Sequence, residues 1–185
     1  MKHSNLHLFK HDLHLFNLEG ENRRFLDFVR RACPAADPTS VILFSQVMHS
    51  NNLLEQAAER NLESAGLTWA KFRLLMSLYR GEQQGEIDGM QPSELSDVQG
   101  VSRNTVSSLI ATLEKDGLIS RELHGTDHRR FVIHLTPEGR KLMRTNMANQ
   151  FKFVTECFTG FNAAERQTFL DFLARLNQAL AGKNK

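Results

Sequence analysis

The stretch GVSRNTVSSLIATLEKDGL, Gly100 to Leu118, constrains this chain more than any other segment, because every local signal in it points to the same structure. Ser102 has the hydroxyl of a helix N-cap, and Val101 before it and Val106 at the fourth helical position form a hydrophobic staple. Val106, Leu109, Ile110 and Leu113 recur at i, i+3, i+4 and i+7, which predicts a buried stripe, and Gly117 supplies the left-handed residue that stops a helix. The opposite face carries Arg103, Asn104, Ser107, Ser108, Ala111 and Thr112. Ordinary solvated helices carry long Glu and Lys side chains that pair at i, i+4. Here Arg103 is the sole charge of the first three turns, so the outer face is small and hydrogen-bonding rather than salt-laced.

The flanking segments extend the pattern. PSELSDVQ reads as a short helix with Pro92 in its first turn, Leu95 and Val98 on one side, and Gly100 ending it. After the central helix, LISRELHGTDHRRFVIHLT alternates. Ile119 and Leu123 on one strand, and Phe131, Ile133 and Leu135 on the other, point to one side, with Gly125 to His128 as the turn. Two short helices around a tight glycine turn, followed at once by a hairpin, is the order of a winged helix-turn-helix. A helix roughly 10–12 Å across fits a DNA major groove when its outer face is free of bulky apolar or acidic groups. On that reading Arg103 can donate bidentately to guanine and Asn104 can read adenine. Ser93, Ser102, Thr105, Ser107 and Ser108 suit phosphate oxygens or base edges, and the helix N-terminus adds partial positive charge.

The remainder reads as helix. Leu6, Phe9, Leu13 and Phe16 follow a heptad spacing, and Phe25, Phe28, Val29 and Ala32 continue a helical pattern until Pro34 and Pro38 break it. Thr39 is placed to cap a long helix carrying Phe44, Val47, Met48, Leu54, Ala58 and Leu62 and ending near Gly66. Thr68 restarts a helix with Phe72, Leu75, Met76 and Tyr79, and Gly81 to Gly89 reads as a loop. Thr136 and Pro137 open a helix running through Leu142, Met143, Met147, Phe151, Val154 and Phe158. Asn162 and Glu165 begin a last one with Phe169, Phe172, Leu173, Leu176 and Leu180. The expected fold is therefore mainly α with a small β-hairpin wing, a winged helix-turn-helix on a helical scaffold. Residues 1–38 form a helical extension, 39–66 and 137–185 the scaffold, and 67–136 the winged lobe.

Composition excludes several classes. Among 185 residues, 41% are hydrophobic, enough for a core, while a net charge of +2 means that polyanion binding must come from local clustering. Two cysteines make no disulfide framework. The N-terminus lacks the apolar core of a signal peptide and no run reaches the ~18 residues of a membrane span, so the expectation is a soluble cytoplasmic protein with no membrane partner. His124 and His134 would stand roughly 13 Å apart on the hairpin, too far to share one metal ion. His3, His7 and His11 share a helix face but have no carboxylate or thiolate to complete a site, so no metal or cofactor is assigned. Cys33 follows Arg30 and Arg31, which favour its thiolate and leave a thiol-responsive protein as an alternative; Cys157 reads as packing. An enzyme using Asp127 and His128 is the remote alternative. No nucleophile motif, phosphate loop or HExxH accompanies that pair, and the expectation is no enzyme.

The block SELSDVQGVSRNTVSSLIATLEKDGLISR, the sequence DHRR at Asp127 to Arg130, the following LTPEGRKL, and the earlier NNLLEQAAERNLESAGLTWAKFRLLMSLYR together resemble the multiple antibiotic resistance regulator (MarR) family of bacterial transcription factors, over roughly residues 40 to 180. The resemblance implies a homodimer joined through its N- and C-terminal helices, with two winged lobes straddling a pseudo-palindromic double-stranded operator. It implies that Arg129 enters the minor groove, Asp127 orients the wing, and Arg130 or His128 meets phosphate. It also implies a repressor released by a small aromatic or anionic effector, bound between scaffold and lobe, for which His49, Trp69 and Arg73 are candidates. Zinc- and peroxide-responsive relatives make a metal- or thiol-responsive regulator of the same fold the alternative. Two features depart from the family pattern: a longer GEQQGEID insertion, and the first 38 residues, which are expected to strengthen the dimer.

Overall fold

In the computed structural model, residues 21–85, 89–123 and 131–182 are described. The order is α1 (Glu21–Ala32), α2 (Pro38–Leu62), a 3-10 turn (Glu63–Ala65), α3 (Trp69–Gln84), α4 (Pro92–Gln99), α5 (Arg103–Lys115), β1 (Ile119–Leu123), β2 (Phe131–Leu135), α6 (Pro137–Cys157) and α7 (Ala163–Ala181). This is the expected mainly helical fold with one antiparallel hairpin. The chain forms two compact units, residues 1–57 and 58–185. The heptad seam of Leu6 to Phe16 and the tip of the wing lie outside the described residues.

Within the first unit the start of α2 corrects the expected cap. Asp37, not Thr39, holds the helix N-terminus: its two carboxylate oxygens accept the amides of Thr39 (3.1 Å) and Ser40 (3.0 Å), and the Ser40 hydroxyl donates to it at 2.7 Å. A charged acceptor outcompetes a hydroxyl for these N–H groups, and Pro38 opens the helix instead of breaking it, since a missing N–H costs nothing in the first turn. The same bonds, those from Ser40 foremost, hold the Asp37 carboxyl below the usual carboxylate range. Further along, Leu43, Phe44, Val47 and Met48 are exposed.

The second unit is built around α3. Phe72, Leu74, Leu75, Leu78 and Tyr79 are buried, because α4, α5, α6 and β2 all pack on this helix. Leu62, Leu67, Leu95, Val106, Ile110, Leu113, Ile119, Ile133, Leu135 and Met143 complete the core. Thr68 caps α3 as expected, accepting the Lys71 amide. The expected loop from Gly81 needs correction: α3 continues to Gln84 and stops at Gly85, φ 66°. Gly81 is buried, and Glu82 grips Arg140 of α6 through two bonds of 2.8 and 2.9 Å, so tertiary contacts carry the helix through a polar, glycine-containing turn. Met90 adds an unexpected short third strand position, exchanging backbone bonds with Ile133 at 3.0 and 2.8 Å.

The hairpin and α6 meet at a close junction. Thr136 caps α6 by accepting the Gly139 amide at 3.1 Å, while its own hydroxyl donates to the Gly117 carbonyl at 2.7 Å and its amide to the Leu118 carbonyl at 3.1 Å. One threonine thereby joins the end of α5, the hairpin and α6. Gly139 is buried there, and a methyl group on it would be driven into the Leu118 carbonyl oxygen.

Two outcomes follow. Gly139→Ala should destabilise the protein by about 1–3 kcal/mol through overpacking, read as a lowered denaturation midpoint at unchanged slope. Asp37→Ala should lower the protection of the Thr39 and Ser40 amides against hydrogen exchange at neutral pH, whereas Asp37→Asn should retain it. Because the folded-state pKa is depressed, the cap is fully present above the unfolded value of about 3.9 and is lost as pH falls through the folded one, so wild type should approach the alanine variant in acid.

Candidate nucleic-acid interface

The presentation of α5 depends on how α4 is held. Ser96 donates from its hydroxyl to the Val101 carbonyl at 2.6 Å, and Gly100, at φ 65°, turns the chain between the two helices. Gln99 donates from Nε2 to the Arg73 carbonyl (3.1 Å) and the Ser77 hydroxyl (2.8 Å), and Arg73 returns a bond to the Gln99 carbonyl at 3.0 Å. These contacts overturn the expected apolar side of α4. Leu95 is buried, but Val98 is 49% exposed and Gln99 only 8%. The helix is turned so that Ser96 and Gln99 reach backbone acceptors at the elbow, which a buried valine could not satisfy. The sequence signal was there to read: Leu95 and Gln99 stand at i, i+4, with Ser96 beside them.

On α5 the expected stripe is buried at Val106, Ile110 and Leu113, with Leu109 half-buried against the core. Arg103, Asn104, Thr105, Ser107, Ser108, Ala111 and Thr112 are all exposed. Ser102 caps the helix by accepting the Thr105 amide at 3.2 Å, and its hydroxyl shares a hydrogen bond with that of Thr105 at 2.8 Å. One of the two hydroxyl protons is used between them, and the other can donate outward. Thr112 uses its own proton on the Ser108 carbonyl, at 2.9 Å. Acidic groups at the far end of α5 are neutralised sideways: Glu114 pairs with Arg121 at 2.9 Å and Asp116 with Lys71 at 2.8 Å. The exposed stretch from Arg103 to Thr112 spans roughly 14 Å at 1.5 Å per residue, comparable to four base steps of 3.4 Å. Ser93 is half-buried in the first turn of α4.

The hairpin register is Ile119↔Leu135, Ser120↔His134, Arg121↔Ile133, Glu122↔Val132 and Leu123↔Phe131. Ile119, Ile133 and Leu135 are buried, but Leu123 and Phe131, expected to share that apolar side with them, are half-exposed because the hairpin outreaches the body. Asp127, His128, Arg129 and Arg130 lie outside the described residues, as does His124. His134 stands opposite Ser120, and among the described residues no group of three His, Cys, Asp or Glu could hold a metal ion. No described helix is long and apolar enough to cross a membrane. Of the candidate effector residues, His49 belongs to the first unit and is half-buried. Trp69 and Arg73 lie one turn apart on α3, Trp69 stacked on Phe72 at 5.9 Å and Arg73 engaged with Gln99. Cys33 is exposed and Cys157 half-buried.

Comparison with known proteins agrees with this geometry. The family model described as MarR family matches residues 65–130. The HTH-type transcriptional repressor YetL of Bacillus subtilis (strain 168) is 26% identical over 145 residues, covering 78% of this chain and 84% of that protein. The transcriptional repressor MprA of Escherichia coli (strain K12) is 27% identical over 142 residues, covering 75% and 78%. The crystal structure of S. aureus MepR in its DNA-binding conformation superposes with a TM-score of 0.61 at 25% identity, over 76% of this chain and 98% of that one. These relatives are transcriptional regulators, and by the match over residues 65–130, with the buried stripe and exposed outer face of α5, this chain is similar to the transcriptional regulators of the MarR family.

Proposed function

We propose that the protein binds a pseudo-palindromic duplex as a homodimer and represses transcription until a small effector releases it. The observation that carries the DNA reading is the outer face of α5, seven exposed residues between Arg103 and Thr112 with a single charge, mounted on the buried Val106, Ile110 and Leu113. In this reading Arg103 and Asn104 meet base edges, while Ser93, Ser102, Thr105, Ser107 and Ser108 meet phosphate oxygens or base edges. Arg129 enters the minor groove from the wing, Asp127 orients the wing, and His128 or Arg130 meets phosphate. A chromosomal operator as partner implies action in the cytoplasm.

Dimerisation is supported by what each unit leaves uncovered. In the second unit α7 buries no residue and exposes Phe169, Leu170, Phe172, Leu176 and Leu180. In the first, α2 exposes Leu43, Phe44, Val47 and Met48. Faces of this size on a regulator are natural subunit contacts. Repression is the role named for YetL and MprA. For the effector, Trp69 offers an aromatic wall and Arg73 a cation with one donor already engaged, both within the second unit. Also in the second unit is the buried amide of Gln150, whose oxygen accepts from Asn61 at 2.7 Å and whose nitrogen has no partner among the described residues.

Selection of duplexes from a random pool should enrich an inverted repeat, and failure to enrich any would sink the reading. Against the selected duplex, Arg103→Ala should cost about 1–3 kcal/mol of binding and relax preference at one position of each half-site. Arg129→Ala should instead weaken binding and reduce the slope of log affinity against log salt by about 1. Removing residues 1–38 should raise the concentration at which dimers dissociate, measured by sedimentation.

A further inference from the structure

We propose that the exposed cross-strand pair Leu123 and Phe131 is an apolar DNA contact that packs on the deoxyribose edge of the strand running between the recognition helix and the wing. This deepens the DNA-binding reading above and rests on it. The hairpin face that begins in the core with Ile119 and Leu135 continues through Arg121 and Ile133 to Leu123 and Phe131. Ile133 is fully buried, yet one pair further out, about 7 Å along the strands, Leu123 is 52% and Phe131 46% exposed. Directly opposed residues of a ladder touch, so the two side chains form one apolar patch at the outer end of the described strands. Such a patch favours unwanted association unless a partner covers it.

Position selects the partner. Arg121 is on the same strand face and pairs with Glu114 of α5 at 2.9 Å, so this face is the one directed toward the recognition helix. The segment joining Leu123 to Phe131 is HGTDHRR, which has two arginines against one acid and carries the wing residues assigned above to the minor groove and to phosphate. An apolar pair beside a recognition helix, joined in sequence to a segment with two arginines, matches the alternation of a DNA strand, where phosphates flank the C–H surface of each deoxyribose. A second copy of the chain would instead find its apolar faces on α2 and α7.

The contact has a distinctive signature. Covering apolar surface releases no counterions, so its loss weakens binding equally at every salt concentration, unlike loss of a phosphate contact. Phe131→Thr and Leu123→Thr keep strand propensity while removing most of the patch. In the full chain, titrated with the duplex selected by wild type, each should bind about 5-fold more weakly at all salts, with the log–log slope, thermal midpoint and dimer mass unchanged. Phe131→Trp should retain affinity and show a fluorescence change on adding the duplex beyond that of Trp69, the only other tryptophan. Wild-type affinity in both threonine variants would overturn the proposal. So would a reduced salt slope, which reports a displaced wing, or a fall in dimer mass, which reports a subunit contact. If wild type itself selects no duplex, the parent reading fails first and takes this one with it.

Discussion

Everything in the second unit is referred to one buried helix. Leu74, Leu75 and Leu78 leave α3 almost without solvent contact, and burial of each is worth roughly 1.5–3 kcal/mol. The polar contacts along α3 contribute less energy, about 1 kcal/mol for a typical hydrogen bond, but they fix direction. Lys71 ties its start to the end of α5, Arg73 and Ser77 hold the helix-turn-helix elbow through Gln99, and Glu82 holds the first turn of α6. The half-exposed Lys71–Asp116 pair adds little stability by itself. Its value is geometric, since apolar contacts alone would let α5 slide along the core.

That geometry bears on how a nearly neutral chain would address a polyanion under the proposed function. With a net charge of +2 there is no strong global field, and affinity must be built from local contacts. The outer face of α5 contributes hydrogen-bonding side chains close to the helix axis, where short residues let the backbone approach a groove. The acids that would oppose this are drawn aside into pairs with Arg121 and Lys71. Ser102 and Thr105 do two jobs at once, closing the helix end and retaining one outward-facing proton.

Where structure is decided locally, it is legible in the residues. The caps at Thr68, Ser102, Thr136 and Asn162, the stripe on α5 and the stop at Gly117 are all short-range consequences of side-chain chemistry. Structure is not legible in the residues where two nearby groups compete or where a distant partner intervenes. Asp37 displaced Thr39 because a carboxylate accepts two amides at once. Gly81 to Gln84 stayed helical because Arg140, 58 residues away, grips Glu82. On α4 the burial of Gln99 in place of Val98 depends on acceptors offered by α3, 22 and 26 residues earlier.

The sequence by itself determined the element order and the small polar face that α5 presents, because cap chemistry, glycine stops and 3.6-residue periodicity act within a turn or two. Only the tertiary structure decided how α4 is rotated under α5, that Met90 extends the hairpin by one strand position, and that Leu123 and Phe131 pass beyond the body of the unit. Each of these turns on what stands opposite a residue in space. A side chain's own pattern says which environment it prefers, but the packing of α3 against its neighbours sets which environment it receives.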